Sequence, residues 1–553
     1  MKILRRETRP LSWPAAVLLV AGAAACFHLA YSSESFAPLR LLIIGYVVCL
    51  AQLSRLKTTR QSFYAGLAAG FLCVAPQLTC FWKIFGPAAI VLWIILALWI
   101  GAFTGMTRAA LARFGPGWTA ALVPFIWTGL EYFRSELYYL KFSWLNVGYA
   151  FSGWDVLPLC ILGMYGVGFI AAICAALFLC IRFLYGSIAT IIVICAAVFL
   201  SPPLRDSRHF NRIHVAGMQM EFPSERELPA ALDSLLAKYT NADLLVLSEY
   251  TLDGPVPDSL KDWCRRNHRY LVVGGKDPAP NNNYYDTAFV VGPDGEIAFR
   301  QGKSVPIQFF KDGLPAPKQE LWNSPWGKIG FCVCYDLSYT RVIDPLVKMG
   351  AQMIIVPTMD VVDWGRRQHQ LHALVAPVRS AEYGLPIFRV ASSGISQAVD
   401  LNGGTKATVP FAGEGQPLFA TFDLPPRGSL PADRLLAPVS VGITGIALLL
   451  LLVWKPQRTP FNEPAERSQA ELADKIQNNS DETRDAVSPQ LFSQNIWSKS
   501  QRWIKSLTGE YPVSTIDDFP LPEGEGQGEG KPRSMTQRRV VSFEIRRAFP
   551  TAP

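Results

Sequence analysis

Seven apolar runs precede residue 204, at roughly 12–31, 39–54, 63–82, 87–106, 118–134, 157–181 and 187–203, and an eighth spans 437–454. A helix needs about 20 apolar residues to cross the hydrocarbon of a bilayer. Only helices and closed barrels satisfy their own backbone there, so such a series predicts a multi-pass α-helical membrane domain of about eight spans. The second and fifth runs are short or interrupted, and the count could differ by one. Between the seventh and eighth runs lies a stretch of ordinary polarity, long enough for a soluble domain of its own.

Basic residues orient the bundle. Lys2, Arg5, Arg6 and Arg9 precede the first run; Arg55, Lys57 and Arg60 sit between the second and third. Arg108 and Arg113 lie between the fourth and fifth, Arg182 falls at the next alternate turn, and Lys455 and Arg458 follow the last run. Every second connection is basic, which predicts cytoplasmic termini and places residues 204–436 outside the cytoplasm. This placement accounts for the net charge of +8 as a topology signal. No basic aromatic platform accompanies it, so nucleic acid is not an expected partner. Eight of the eleven cysteines fall in or beside apolar runs, where Cys acts as a small hydrophobe, and a disulfide scaffold is not expected.

The chain therefore divides into a transmembrane domain at 1–203, a soluble insert at 204–436, a last transmembrane helix at 437–455 and a tail at 456–553 rich in Gln, Ser, Glu, Pro and Gly, expected to be disordered. In the insert, strands are expected at 212–220, 242–249, 270–274, 329–334 and 352–357, with a hairpin over 288–300 turning at Pro293-Asp294-Gly295. Leu228, Leu232, Leu235 and Leu236 mark one side of an amphipathic helix over 225–239. Strands alternating with helices predict an α/β layered fold.

Three residues at the ends of these elements could carry acyl chemistry. Glu249 closes one apolar strand, Lys303 follows the hairpin, and Cys334 closes Gly330-Phe331-Cys332-Val333. Transfer through a thioester needs a nucleophile, a base for its proton, and a cation or dipole for the oxyanion, and Cys, Glu and Lys fill these roles without His. His369 and His372 are three apart, but no third ligand accompanies them, and no metal site is expected. Glu131 and Arg134 share a helix face at membrane depth, where an ionisable pair either closes on itself at the interface or serves a substrate entry.

The insert resembles the nitrilase (carbon–nitrogen hydrolase) superfamily, and residues 1–455 resemble the apolipoprotein N-acyltransferase family. Cys334-Tyr335-Asp336 is similar to the family's Cys-Tyr-Glu motif, and Arg379-Ser380-Ala381-Glu382 and Ser393-Gly394-Ile395-Ser396 to its Arg-Ala-x-Glu and Thr-Gly-Ile-Ser segments. Phe142 to Tyr149, with Trp144, resembles its Phe-Pro-Trp-Leu-x-Leu-Gly-Tyr stretch. The resemblance implies an αββα sandwich in the insert, with Glu249 as base, Lys303 as oxyanion stabiliser and Cys334 as nucleophile. Tyr335, Asp336, Asp312, Trp144, Glu131 and Arg134 would support the site or the substrate.

The chain departs from the pattern in three places. Leu247-Ser248-Glu249 stands for Trp-Pro-Glu, and Asp336 stands for a Glu. The lysine segment admits two alignments, with either Lys303 or Gln301 in the lysine slot; the first leaves Asp312 in place of the family's second Glu. The implied reaction is acyl transfer from a membrane phospholipid, through the thioester, to the N-terminal amine of an apolipoprotein, with no cofactor. A membrane-bound amidase or hydrolase, or an acyltransferase with another acceptor, is the alternative.

Overall fold

The computed structural model describes residues 10–32, 37–154, 158–180, 183–199, 211–413 and 415–453. The tail at 456–553 and the basic residues Lys2, Arg5, Arg6, Arg9, Arg182, Lys455 and Arg458 lie outside the described residues.

The N-terminal part is helical: α1 (Trp13–Ser32), α2 (Leu42–Leu53), α3 (Thr59–Gln77), α4 (Cys80–Phe85), α5 (Ala88–Tyr132), α6 (Leu159–Cys180) and α7 (Phe183–Phe199). Four helices among the described residues, three of these and the last helix of the chain, are long and apolar enough to cross a membrane. The runs expected at 87–106 and 118–134 form the single element α5, broken at Gly115, whose φ of 74° and ψ of 176° only glycine adopts readily. Thr58 caps α3 by accepting the Gln61 N–H, and Gln61 reaches back to the Thr58 N–H. Small residues let α3 and α5 approach closely: a Cβ on Gly66 would lie 2.0 Å from the Thr104 side chain.

The insert holds two six-stranded mixed sheets. The first contains β1 (Asn211–Met218), β2 (Leu244–Val246), β3 (Tyr270–Ala279), β4 (Asn283–Val291) and β5 (Ile297–Gly302). The second contains β6 (Leu321–Asn323), β7 (Lys328–Phe331), β8 (Met353–Thr358), β9 (Ile387–Ala391), β10 (Ser396–Val399) and β11 (Thr405–Val409). The twelfth strand, β12 (Pro417–Leu424), returns to pair antiparallel with β1. In each sheet three central strands run parallel, β1-β2-β3 and β7-β8-β9, flanked by antiparallel neighbours.

The sheets face each other. Phe299 on β5 stacks on Phe331 of β7, and Phe388 on β9 meets Phe422 of β12 edge-on. The outer face of the first sheet packs on α8 (Leu228–Lys238) and α9 (Asp258–Asn267) through Leu232, Leu235, Leu260 and Trp263. Against the second lie α10 (Thr340–Lys348), α11 (Arg366–Ala373) and α12 (Val375–Tyr383), and α13 (Asp433–Val453) returns to the helical part. The strand expected over 242–249 is only three residues long. The chain leaves the sheet before Glu249, and Tyr250 takes a positive φ of 52°.

Carboxylates fasten the sandwich to the helices. Gly163 (φ 70°, ψ 173°) breaks α6 and frees the backbone N–H groups that follow. Glu382 of α12 accepts the Met164 N–H at 2.5 Å, and Asp433 at the start of α13 accepts the Tyr165 N–H at 2.9 Å. Both carboxylates thus sit at a new helix N-terminus, where negative charge is favoured. Glu382 also pairs with Arg379 at 2.6 Å. At the end of α5, Glu136 accepts both the N–H and the hydroxyl of Thr340, which opens α10. In Gly163→Ala the added Cβ would lie 2.1 Å from the Asp433 carboxyl, in a backbone region that costs a non-glycine residue about 1–3 kcal/mol. A lowered unfolding temperature in detergent and a larger aggregated fraction on size exclusion are the expected results.

Candidate active site

The site forms where three loops leave β2 and β5 of the first sheet and β7 of the second. Cys334 follows β7 in a single turn of 3-10 helix (Cys334–Ser338) and holds a positive φ of 52°, a strained setting for a non-glycine residue. Asp336 fixes this turn by accepting the backbone N–H of Val333 at 3.3 Å. The same carboxylate reaches the lysine loop, accepting from Ser304 at 3.0 Å and Val305 at 2.8 Å. Burial pushes the Asp336 carboxyl up to about 6, against the pull of these N–H groups and Lys303.

Lys303 enters a buried cage of carboxylates. Its Nζ lies 2.7 Å from Glu249 Oε1, 2.7 Å from Asp312 Oδ2 and 3.4 Å from Asp286 Oδ2. The three carboxylates are close enough together to hold a metal ion, but the lysine ammonium sits among them and supplies the cation. Gln301 points elsewhere: its Nε2 donates to the carbonyls of Gly302 and Lys318, and its Oε1 accepts the Glu320 N–H. Asp312 also accepts the Tyr250 hydroxyl at 2.9 Å and the Ile307 N–H at 2.7 Å, which tightens the loop below the lysine.

Glu249 is held from both ends. Lys303 binds Oε1, and the Met359 N–H donates to Oε2 at 2.5 Å. Burial pushes the Glu249 carboxyl up, but Lys303 and the other donors more than offset this, and it stays below its ordinary value. Burial and the facing Glu249 drive the Cys334 thiol well above its ordinary value. The resting pair is therefore a thiol beside a carboxylate, an arrangement in which the carboxylate can accept the thiol proton.

Three carboxylates and one ammonium cannot all be charged at this depth. Burial and Glu249 raise Asp286 well above the carboxylate range, and burial raises Asp312 as well, which marks Asp286 as the member of the cage most inclined to hold a proton. Sequence reading missed it, although Asp286 is in phase along β4 with Ala288 and Val290, both in the inter-sheet core. An acid in that register is an inward-facing acid. Asp286→Asn replaces a neutral carboxyl by a neutral amide of the same shape, and its cost is expected to stay within about 1 kcal/mol in thermal unfolding. A collapse of stability in this variant would mean that Asp286 is ionised.

The remaining expected residues frame the site. Trp144 donates to Ser338 Oγ at 3.0 Å and meets Tyr335 edge-on, and the Tyr335 hydroxyl donates to the Lys141 carbonyl at 3.0 Å. Glu131 and Arg134 are buried, and each grips the loop that carries Trp144. Glu131 accepts the Val147 N–H at 2.9 Å, and Arg134 donates to Asn146 Oδ1. Cys332, the residue after β7 and two before Cys334, is buried in the core behind the site.

An apolar cavity of about 130 Å³ opens beside Cys334. Phe81, Ile84, Phe85, Leu92, Ile95 and Leu96 wall it from α4 and α5; Ile307, Phe309 and Phe310 wall it from the lysine loop.

Two family models match the chain in tandem: the apolipoprotein N-acyltransferase N-terminal domain over residues 10–177, and carbon-nitrogen hydrolase over residues 227–424. Across these two stretches the chain is similar to the apolipoprotein N-acyltransferases, with a carbon–nitrogen hydrolase domain following the N-terminal one. It is 25% identical over 448 residues to the apolipoprotein N-acyltransferase of Shewanella oneidensis, covering 69% of this chain and 86% of that one. It is also 25% identical over 120 residues to the deaminated glutathione amidase of Dictyostelium discoideum, 19% of this chain and 41% of that one. A carbon-nitrogen hydrolase structure from Helicobacter pylori aligns with 47% of this chain and 99% of its own, at 17% identity and a TM-score of 0.34.

Proposed function

We propose that this chain is a membrane acyltransferase that moves a fatty acyl group from a phospholipid, through a thioester on Cys334, to the N-terminal amine of an apolipoprotein. The observation that carries this reading is the position of Cys334 at the margin of an apolar cavity whose walls are apolar helices, beside a buried Glu249–Lys303 pair. A soluble amidase has no use for such a wall; an acyl chain drawn from a bilayer does.

In this reading Glu249 takes the thiol proton as the sulfur attacks the ester carbonyl, and Lys303 faces the developing oxyanion. Glu249 returns the proton to the departing lysophospholipid. The amine then attacks the thioester, and the amide forms as the thiolate leaves. Tyr335, Asp336 and Asp312 hold the two loops, and Trp144, set by Glu131 and Arg134, closes the membrane side of the site.

The proposed topology has eight crossings: seven helices within 1–203 and one at 437–455. The break of α5 at Gly115 supplies two of them. Residues 204–436 lie in the periplasm and both termini in the cytoplasm of a bacterial inner membrane, in keeping with the positive charge at alternate connections.

Purified protein in detergent, given phospholipid and a diacylated lipopeptide with a free N-terminal cysteine amine, is expected to yield N-acyl peptide and lysophospholipid in equal amounts. Free fatty acid released at the same rate with or without peptide would overturn the acyltransferase reading in favour of a hydrolase.

A further inference from the structure

A second proton-handling pair lines the same cavity. Asp360 follows β8, and His372 lies on α11. His372 Nδ1 is 2.8 Å from Asp360 Oδ1, which also accepts from Gln368 Nε2 at 3.0 Å, and Arg389 Nη2 donates to Oδ2. Burial pushes Asp360 up, but His372 and Arg389 more than offset this and hold it well below the carboxylate range. Arg389 Nη2 also lies 3.0 Å from Nδ1, but it donates to Asp360 Oδ2. The carboxylate is the nearer partner of Nδ1 and only accepts, so we assign the proton to Nδ1, which leaves the lone pair of the neutral ring on Nε2.

That Nε2 is buried and has no hydrogen-bond partner among the described residues. The ring stacks on Trp144 at 4.7 Å and 21°, and His372 lines the cavity together with Cys334. His369, one turn earlier, is a contrast. It stacks on Phe411 at 4.6 Å, its Nδ1 stands 3.9 Å from Asp360 Oδ2, beyond hydrogen-bond length, and it does not line this cavity. A histidine with one nitrogen locked by a carboxylate and the other open to a reaction cavity is arranged to receive a proton.

We propose that His372 is the acceptor-side base: its Nε2 receives the proton that the attacking primary amine must lose when it discharges the Cys334 thioester. The proposal rests on the acyl-transfer reading above. The amine nitrogen bonds to the thioester carbon, and the carbonyl electron pair moves to oxygen. The surplus N–H proton passes to Nε2, and the C–S bond breaks with its electron pair on sulfur. The proton returns to sulfur by exchange with solvent, so enzyme and product balance as amide and thiol. Glu249, tied to Lys303 and the Met359 N–H, serves the thiol in the first half-reaction.

The groups that face His372 are Asp360 after β8, Arg389 on β9, Glu249 after β2 and His369 on its own helix. Burial is the largest influence and lowers the imidazole from its ordinary value, so it is free to accept a proton at neutral pH.

The two half-reactions separate the outcomes. Protein is loaded with phospholipid, the donor is removed, and the acyl mass on Cys334 is followed by intact mass spectrometry after adding the lipopeptide amine, from pH 5.5 to 9. His372→Asn keeps a donor toward Asp360 but lacks Nε2; His369→Gln is the control on the same helix. In His372→Asn the thioester is expected to form, and its amine-dependent discharge to slow by on the order of 100-fold or more. Discharge should speed up in both proteins as pH approaches about 8, where the α-ammonium loses its proton and can attack, while the deficit of His372→Asn persists, because the N–H proton shed after attack still needs an acceptor. His369→Gln should discharge as wild type does. Unchanged discharge in His372→Asn, or equal slowing of both half-reactions at every pH, would overturn the proposal. Failure of the wild type to form any thioester would instead overturn the acyl-transfer reading, and this proposal with it.

Discussion

Cys334→Ala is expected to carry no fatty-acyl mass after incubation with phospholipid, while Cys332→Ala carries the same hydroxylamine-labile adduct as wild type. The two thiols lie two residues apart and are both buried, so burial alone does not separate them. Position does. Cys332 remains in line with β7 and packs into the core, whereas Cys334 sits on the strained turn, beside Glu249 and on the cavity wall. Burial and Asp336 push the Cys332 thiol well above its ordinary value, and that carboxylate is engaged by the N–H groups of Val333, Ser304 and Val305. Loss of the nucleophile in enzymes of this kind lowers turnover by on the order of ten-thousandfold or more. The measurement is intact-protein mass spectrometry with and without hydroxylamine. An adduct that persists in Cys334→Ala and vanishes in Cys332→Ala would reverse the assignment.

The helices were readable because hydrocarbon imposes a simple rule on composition. Each of the eight apolar runs contains helix, including α2, which is only Leu42–Leu53 and is led in by a short 3-10 turn from Ala37. Less legible was the joint between helices and sandwich. Glu382 appeared in the sequence as part of a motif, but nothing local shows that its partner would be the Met164 N–H, freed by a glycine more than two hundred residues away. Asp433 lies four residues before the last apolar run, and nothing local points to its partner, the Tyr165 N–H.

Within the site, strand ends located Glu249 and Cys334, since a polar residue closing an apolar run marks where a strand leaves the core. The lysine was harder, because pattern alone admitted Lys303 or Gln301. A side chain's direction after a hairpin depends on where the strand stops pairing. Thr287 pairs with Gly302, and the Lys303 N–H then donates to the Asp286 carbonyl, which turns the lysine inward. His372 escaped for a related reason. A search for metal ligands paired it with His369, whereas its partner is Asp360, brought in from the end of a different strand.

Lys303→Met is expected to abolish thioester formation and to destabilise the fold, with a dependence on pH that identifies the cause. The methionine fills the stem's volume but leaves Glu249, Asp286 and Asp312 buried around an apolar tip. Removing one member of a buried ion pair costs about 3–5 kcal/mol, because the other is left uncompensated. Burial is the largest influence on Glu249 and raises it; Lys303 is the chief group that opposes this. Without the lysine, Glu249 moves above its unfolded value of about 4.3 and is protonated at neutral pH, which removes the base. The wild-type carboxylate, held below the unfolded value, stabilises the fold above that pH and loses this contribution only as pH falls through its depressed value. In the variant the sign reverses: stability is greatest in acid and declines as pH rises, because the unfolded chain ionises first. Thermal unfolding in detergent from pH 4 to pH 8 should therefore show the gap between wild type and Lys303→Met widening with pH. Adding Glu249→Gln to the variant removes one stranded carboxyl, and is expected to recover part of the stability at pH 8 and none of the activity. A gap of constant size across that range would show that the lysine acts through packing alone, and that the cage of carboxylates does not depend on its charge.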